Sequence, residues 1–325
     1  MSMTEPFAFA FALDKQGPDT RLDVDGVDAR RVAQKPTWVH LDAHADSSRK
    51  WLIERALLPS DFLVSALVAE DTRPRCLPLE EGMLLVLRGV NLNEHADPED
   101  MVSVRIWVDQ HRLISLTRRP LQTAFELAEK IEQGNGPTSI SELLTQVVEA
   151  SAARLSPVLS DLMDTVDDLE DATLEGNLEE PREHIISVRR KSIMFNRFLM
   201  PQRDLIGQMA HNPPTWLAPQ YRRRLHEAQD QITRVLEDLH ALRDRSQSVQ
   251  DEIGNLLRER TNQNTYALTL ITAIFLPLSF LTGLLGINVE GIPGADDPKA
   301  FLVFCGILAA VVAMQLAIFK KLRWF

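Results

Sequence analysis

Residues 266–285 read YALTLITAIFLPLSFLTGLL and residues 301–319 read FLVFCGILAAVVAMQLAIF, and neither stretch contains a charged side chain. At a rise of about 1.5 Å per residue, a helix of either length is about long enough to cross the ~30 Å hydrocarbon core of a bilayer. Residues 286–300 form a short loop between them. The sequence therefore predicts a hairpin of two transmembrane helices at the end of a long polar region.

The charged residues around this hairpin predict its orientation. Basic residues lie outside both spans, namely Arg258 and Arg260 before the first and Lys320, Lys321 and Arg323 after the second. The loop is acidic instead, with Glu290, Asp296 and Asp297 against a single basic residue, Lys299. Because basic flanks stay on the cytoplasmic side, we expect a multi-pass inner-membrane protein with both termini in the cytoplasm.

The composition excludes several classes of function. A net charge of −11 argues against nucleic-acid binding, which requires a basic surface. Of the two cysteines, Cys76 lies in the polar region and Cys305 in a span, so we expect no disulfide. The N-terminus lacks the basic segment of a signal peptide. We find no phosphate-binding loop, catalytic triad or paired-cysteine zinc site, so we predict neither an enzyme nor a bound cofactor.

Residues 1–135 alternate between strand-like and helix-like patterns, which predicts an N-terminal α/β domain within an overall α+β fold class. The predicted strands are residues 7–13, 37–42, 83–91, 101–109 and 113–117. The predicted helices are residues 47–56, 60–69 and 121–133. The segment GNGPT at residues 134–138 is a break that ends this domain.

Residues 136–213 are predicted to form a helical region, with one helix over residues 139–175 and a second from residue 181 to about residue 209. After the break HNPP at residues 211–214, no proline occurs between Pro219 and Pro277, so residues 214–285 are expected to form a stalk helix that continues into the first span. The signature loop, residues 286–300, the second span, residues 301–319, and a basic tail, residues 320–325, follow.

A polar stripe runs along the first span in steps of three and four residues, which places its members on one helix face. The stripe consists of Asn262, Thr265, Thr269, Thr272, Leu276, Ser279, Gly283 and Gly286. Small residues in a span also mark close helix packing, which is one interpretation. The other interpretation is that the stripe lines a water-filled path. Leu276 would then form a hydrophobic constriction, because it is the one large apolar residue in the stripe.

The same steps continue backward into the polar part of the helix. They give a hydrophilic face that contains Asp230, Glu237, Asp244, Asp251 and Asn255. The opposite face is mainly apolar and suited to packing. Packing of two spans does not explain a polar face outside the membrane, so the path interpretation is favoured. Two helices per chain cannot enclose water, so this interpretation requires a ring of several copies.

The tripeptide Gly286-Ile287-Asn288 at the end of the first span resembles the signature of the CorA metal-ion transporter superfamily, which usually reads Gly-Met-Asn. The isoleucine, together with LRGVNLN at residues 87–93, is similar to the ZntB-type zinc transporter branch. The resemblance implies a funnel-shaped homopentamer in the lipid bilayer, with the first spans lining the pore. Gly286, Ile287 and Asn288 would form the outer mouth, where Asn288 offers amide oxygens to a hydrated ion. Glu290, Asp296 and Asp297 would add negative charge.

The resemblance implies that zinc is transported, with possible coupling to protons through residues outside the uncharged stripe. A magnesium, cobalt or nickel channel of the same superfamily is the alternative. A membrane-anchored cytoplasmic sensor without ion flux is an alternative of another class.

Two further clusters carry metal-binding side chains. The residues Asp161, Asp164, Asp168, Asp171 and Glu175 share one helix face, where they either gather cations or form an ordinary solvated surface. The residues His40, Asp42 and His44 are predicted to share one face of a strand, where they either bind zinc or are exposed at a strand end.

Overall fold

The computed structural model describes residues 6–14, 20–70, 72–176, 179–286 and 298–321. Two compact units are present, Met1–Gln250 and Asp251–Phe325. The first unit contains a sheet and most of the helices. The second contains the apolar end of one long helix and the C-terminal helix. The α+β class and the two apolar C-terminal helices predicted from the sequence are confirmed.

A six-stranded sheet organises the first unit, in the spatial order β1-β2-β6-β5-β4-β3. The strands are β1 (Phe9–Ala12), β2 (Thr37–Asp42), β3 (Arg75–Leu79), β4 (Gly82–Gly89), β5 (Val102–Val108) and β6 (Arg112–Thr117). Only the pairing of β2 with β6 is parallel, and the other four pairings are antiparallel. Strands β3 to β6 therefore follow one another without an intervening helix, which is typical of an α+β domain.

Helices cover both faces of this sheet. They are α1 (Val24–Val32), α2 (Asp46–Glu54), α3 (Asp61–Val68), α4 (Gln122–Glu132) and α5 (Ile140–Ala153). On one face, Val39 and Leu41 of β2 join Trp51, Leu63 and other buried side chains of α2 and α3 in one apolar cluster. On the other face, His40 lies within ring-contact distance of Phe125 on α4. Successive residues of β2 thus point to opposite layers, as the pleat requires.

Two elements of this domain, α1 and β3, were not predicted from the sequence. Helix α1 is polar and begins at the N-cap Asp23, whose side chain accepts a hydrogen bond from the Gly26 backbone nitrogen at 2.8 Å. Strand β3 contains Pro78, which argues against a strand when residues are judged one by one. Because β3 lies at the edge of the sheet, a missing N–H is tolerated there.

The single helix predicted for residues 139–175 is wrong. The structure has two helices there, α5 (Ile140–Ala153) and α6 (Leu155–Leu174), which meet at Arg154. Pro157 explains the break, because it has no N–H to donate to the carbonyl of Ala153 and its ring opposes a continuous helix. In the first turn of α6, by contrast, a proline is well tolerated.

Helices α7 (Glu179–His211) and α8 (Pro219–Leu285) follow, and α8 continues from the first unit into the second. Helix α7 is attached to the sheet by Gln202, which is buried. Its side-chain oxygen accepts from the Arg88 backbone nitrogen at 2.6 Å, and its side-chain nitrogen donates to the Arg88 carbonyl at 3.0 Å. Gln202 thereby satisfies the backbone of β4 where its neighbour β3 has ended.

Helices α5 and α6 run parallel to α8 in a fixed register within the first unit. Three hydrogen-bonded pairs between these helices share an offset of 75 positions in the sequence: Glu149 with Arg224, Ser156 with Gln231, and Glu170 with Arg245. The same offset relates Ser141 of α5 to Trp216, just before α8. A constant offset over thirty positions requires two helices that advance in the same direction at the same rate. This register determines which face of α8 is buried.

Candidate ion-conduction path

The two apolar helices of the second unit, α8 and α9 (Ala300–Lys321), pack through one face each. On α8 the half-buried side chains recur at steps of three and four residues, and they are Leu270, Ala273, Ile274, Pro277, Leu278 and Leu281. A matching set on α9 consists of Phe304, Leu308, Val311, Val312, Gln315 and Phe319. Both helices are long and apolar enough to cross a membrane, and neither apolar window is buried in the structure. The chain is an integral membrane protein.

The polar stripe lies away from this packed face. Its eight members, Asn262, Thr265, Thr269, Thr272, Leu276, Ser279, Gly283 and Gly286, are all exposed in the single chain. Leu276 is 67 % exposed, although it is large and apolar. The stripe is therefore not packed against the second span of the same chain. The surface is available for lipid, water or another copy of the chain.

Two of the three threonine hydroxyls of the stripe already have acceptors. Thr269 donates to the carbonyl of Thr265 at 2.8 Å, and Thr272 donates to the carbonyl of Leu268 at 2.8 Å. Such a bond gives the hydroxyl donor a partner within its own helix. The donors are used, but each hydroxyl oxygen keeps a lone pair. The stripe can therefore present oxygen acceptors to the hydration shell of a cation.

The first span ends at Gly286, and the local geometry requires glycine there. Its backbone nitrogen donates to the carbonyls of Thr282 at 2.9 Å and Gly283 at 3.2 Å. A Cβ atom at residue 286 would lie 2.8 Å from the Thr282 oxygen, which is too close. At Gly283, by contrast, a Cβ atom would meet nothing within 4 Å. The predicted mouth residues Ile287, Asn288, Glu290, Asp296 and Asp297 lie outside the described residues.

The hydrophilic face predicted along α8 is exposed at each of its proposed functional positions, which are Asp230, Glu237, Asp244, Asp251 and Asn255. Two of them contact basic neighbours: Asp244 pairs with Arg243 at 3.2 Å, and Asn255 accepts from Arg258 at 2.9 Å. The opposite face is buried from Leu225 to Ile253, as predicted. The exposed face is acidic but not exclusively so, because Arg234 and Arg258 also lie on it.

The zinc site predicted at His40, Asp42 and His44 is not formed in the structure. His40 is only 2 % exposed, its Nδ1 lies 2.8 Å from the Ser115 hydroxyl, and its ring stacks on Phe9. Burial lowers the pKa of His40 to about 4, against a smaller opposing effect of Asp42. Asp42 instead accepts from the His44 backbone nitrogen at 2.8 Å in the turn after β2, where both side chains are exposed. The strand ends before His44, so the shared face does not exist.

The acidic face of α6 is a solvated surface in the structure. Its members Asp161, Asp164, Asp168, Asp171 and Glu175 are exposed, while the apolar side chains between them are buried. The acidic residues of α6 that contact α8 are Asp167 and Glu170, and both pair with Arg245. The hydrogen bonding that Arg245 donates to Glu170 is the main cause that raises the pKa of Arg245. Within the described ranges, no three His, Cys, Asp or Glu side chains are placed to share a metal ion.

One residue of the spans was missed by sequence reasoning. Gln315 is the only amide in the predicted second span. Its side-chain nitrogen donates to the backbone carbonyl of Ala273 on α8 at 3.1 Å. A polar residue among apolar ones in a span is the signal that could have identified it.

The sequence matches the family described as "CorA-like Mg2+ transporter protein" over residues 33–321. The chain belongs to this family. It is 39% identical to the divalent cation transporter CmaX of Pseudomonas aeruginosa, over 90% of this chain and 89% of that protein. It is 36% identical to the zinc transport protein ZntB of Pectobacterium atrosepticum, over 97% of this chain and 95% of that protein. The ZntB-type branch predicted from the sequence is thereby confirmed.

A solved structure of the full-length CmaX protein has the same fold, with a TM-score of 0.84 at 35% identity over 100% of both chains. The likeness covers both units of the present chain. The family is one of transporters and not of enzymes. Two residues of the LRGVNLN segment have structural roles in this chain. Arg88 donates to the carbonyls of Met101 and Thr72, and the buried Asn91 donates to the carbonyl of Asp100. These residues hold a loop rather than a metal ion.

Proposed function

We propose that this protein transports divalent metal cations across the inner membrane through a central pore, and that zinc is its main substrate. The observation that carries the proposal is the polar stripe. In a member of a transporter family, the eight positions of the stripe, which lie in the first span and next to its two ends, are left exposed by the packing of the chain itself. Such a surface is costly in lipid unless it is covered or hydrated.

The pore is formed by five copies of the chain, each contributing the stripe of its first span. This number comes from the resemblance to the CorA superfamily, and the stripe independently requires several copies. The open space around Gly283 supports the proposal, because the packing of one chain does not demand a glycine there. Both termini lie in the cytoplasm, so the signature loop forms the outer mouth.

The ion passes in hydrated form. Asn288, by its place in the signature, offers five amide oxygens that hold the hydration shell without removing it. The hydroxyl oxygens of Thr265, Thr269 and Thr272 extend this lining, and Leu276 forms a ring of apolar side chains that dewets when the pore closes. On the cytoplasmic side, Asp230, Glu237, Asp244 and Asp251 raise the local concentration of cations.

The choice of zinc rests on the relatives. Several similar proteins are named zinc transport proteins, while CmaX is named more broadly as a divalent cation transporter. Isoleucine at position 287 also departs from the Gly-Met-Asn pattern of the magnesium branch. Coupling to protons would have to use groups outside the stripe, which contains no side chain that titrates near neutral pH.

The decisive experiment is zinc uptake into proteoliposomes that contain a zinc-sensitive dye, with and without a pH gradient. We expect wild-type protein to carry zinc and excess magnesium to compete poorly. Asn288→Ala should reduce the flux by at least tenfold with the oligomer intact. Asn212→Ala makes the same chemical change at an exposed position of the cytoplasmic unit and should leave the flux unchanged.

The outcomes separate the alternatives. Strong competition by magnesium, cobalt or nickel would identify a channel for those ions instead. No flux of any divalent cation would favour a membrane-anchored sensor. A monomer in mild detergent, measured by mass, would contradict the shared pore.

A further inference from the structure

Pro277 leaves a gap in the hydrogen bonding of the first span. In an α-helix, the backbone carbonyl of residue 273 accepts from the N–H of residue 277. Proline has no N–H, so Ala273 lacks this donor although α8 is continuous through residue 285. An unsatisfied carbonyl inside a bilayer costs free energy, because no water is available to replace the lost bond.

Gln315 supplies a donor from the other helix. Its side-chain nitrogen lies 3.1 Å from the Ala273 carbonyl oxygen, 42 positions earlier in the sequence. The contact joins the middle of α9 to the turn of α8 that the proline interrupts. Pro277 and Ala273 are both half-buried on the face of α8 that packs against α9, so the amide reaches the carbonyl from within the packed interface.

The presence of glutamine at this position is otherwise unexplained. Its side-chain oxygen is buried and has no hydrogen-bond partner in the described part of the chain. A side chain that leaves half of its amide unsatisfied in an apolar interface is retained at a cost. The compensating interaction is the hydrogen bond from the Gln315 amide to the Ala273 carbonyl, which Pro277 leaves without a donor.

We propose that Gln315 is a positioning residue for transport, because it holds the proline-interrupted turn of α8 that carries Leu276. Leu276 immediately precedes Pro277 and is exposed on the stripe, whereas Pro277 belongs to the packed face. The inference rests on the proposed function to the extent that Leu276 restricts an ion path. The hydrogen bond holds this turn on the face of α8 that packs against α9, and Leu276 projects from the same turn on the exposed stripe.

Two substitutions test this pairing in a double-mutant cycle. Gln315→Leu removes the donor and keeps an apolar side chain of similar size. Pro277→Ala restores the backbone N–H, so Ala273 regains a donor within its own helix. If the only role of Gln315 is to supply the missing donor, Gln315→Leu perturbs the wild type but has no effect in the Pro277→Ala background.

Zinc leak into proteoliposomes and the thermal midpoint of the assembled protein are measured for both single variants, the double variant and the wild type. We expect Gln315→Leu to raise leak by about 3- to 20-fold, the factor that one interhelical hydrogen bond in a membrane protein corresponds to. In the Pro277→Ala background the same change should alter leak less than twofold. Met314→Leu, at the adjacent exposed position of α9, is the matched control and should change neither quantity.

Equal effects of Gln315→Leu in both backgrounds would overturn the inference, whatever their size. If Gln315→Leu prevents assembly, recovery of assembly by Pro277→Ala supports it and continued failure overturns it. Absence of flux in the wild type would instead overturn the proposed function. The coupling between the two sites would then still be read from the thermal midpoints.

Discussion

The two parts of helix α8 differ in how their apolar side chains are covered. In the part that lies in the first unit, Leu225, Ile232 and Leu239 are buried, and Arg224 and Arg245 pair with acidic residues of α5 and α6. In the apolar part, Leu268, Ile271 and Phe275 are more than half exposed. Helix α8 thus has buried apolar side chains in its first part and exposed apolar side chains in its last part.

This difference shows what each unit needs from its surroundings. Burial of apolar area stabilises the first unit without any partner. The second unit presents a continuous apolar surface, and exposing that surface to water would be unfavourable, so its structure depends on its surroundings. Substitutions in the first unit should therefore change the free energy of unfolding, whereas substitutions on the stripe should change transport.

The largest expected effect is a loss of stability when a core side chain of the first unit is removed, compared with the same change in the second unit. Leu84→Ala removes a side chain that is 0 % exposed in the sheet core, and it should lower the free energy of unfolding by about 2–5 kcal/mol. Urea unfolding of the purified full-length protein, followed by tryptophan fluorescence, measures this loss. Leu268→Ala, at a residue that is 64 % exposed in the second unit, should leave that transition in place. Equal losses in the two variants would contradict the comparison.

Titration of the buried His40 should change the free energy of unfolding of the first unit by about 3 kcal/mol between pH 6.5 and 4. Above pH 6.5 the imidazole of His40 is neutral in both the folded and the unfolded state and adds no pH dependence. Between pH 6.5 and about 4 the unfolded chain binds a proton that the folded chain does not, because burial lowers the pKa of His40 to about 4. The free energy of unfolding should fall by about 1.4 kcal/mol per pH unit over this window.

His40→Gln tests this assignment, because an amide can still bond to the hydroxyl of Ser115 but does not titrate. Between pH 6.5 and 4.5 the variant should lose less stability than the wild type does. Equal pH profiles would show that other groups are responsible. His44→Gln makes the same chemical change at an exposed side chain in the turn after β2, and it is the matched control.

A smaller loss of stability is expected where ion pairs join α6 to α8. Arg245 contacts both Asp167 and Glu170, but its side chain is 42% exposed and the solvent screens the pair. Arg245→Met should therefore cost about 1 kcal/mol or less, and high salt should reduce the difference from the wild type. Arg243→Met is the control, because Arg243 pairs with its own neighbour Asp244 and joins no helices. A salt-independent loss of several kcal/mol would show that packing dominates.

The smallest change in stability should accompany a clear change in transport. Leu276→Ser alters a side chain that the chain does not bury, so the unfolding of the first unit should be unchanged. If Leu276 is the apolar constriction, zinc leak into proteoliposomes should rise several-fold. Leu268→Ser makes the same change off the stripe and should not raise the leak. Unchanged leak in Leu276→Ser would remove this residue from the path.

Periodicity alone was enough to predict the spans, the long helix and its buried face. Leu225, Ile232 and Leu239 recur at helical spacing, and the structure buries them as predicted. Helix α1 and the edge strand β3 were missed because their patterns are weak. The continuous helix over residues 139–175 was wrong because the effect of Pro157 on the preceding carbonyl was not considered.

The prediction that His40, Asp42 and His44 share one strand face failed for a different reason. Spacing along the chain placed His40, Asp42 and His44 together, but the strand ends at Asp42 and the layer of α4 covers His40. The acidic residues of α6 share a face, yet that face points to solvent. Whether neighbouring side chains converge on an ion depends on what packs over them, and spacing carries no such information.

The sequence by itself determined the membrane hairpin, the two faces of α8 and the family, because each depends on residues that are near one another along the chain. Only the tertiary structure decided that His40 is buried, that α6 and α8 keep a constant register, and that Gln315 meets the carbonyl left open by Pro277. These contacts join residues at least 42 positions apart or depend on a covering layer. The physical reason is that hydrogen bonding and burial act through space, whereas helical and strand periodicity act along the backbone.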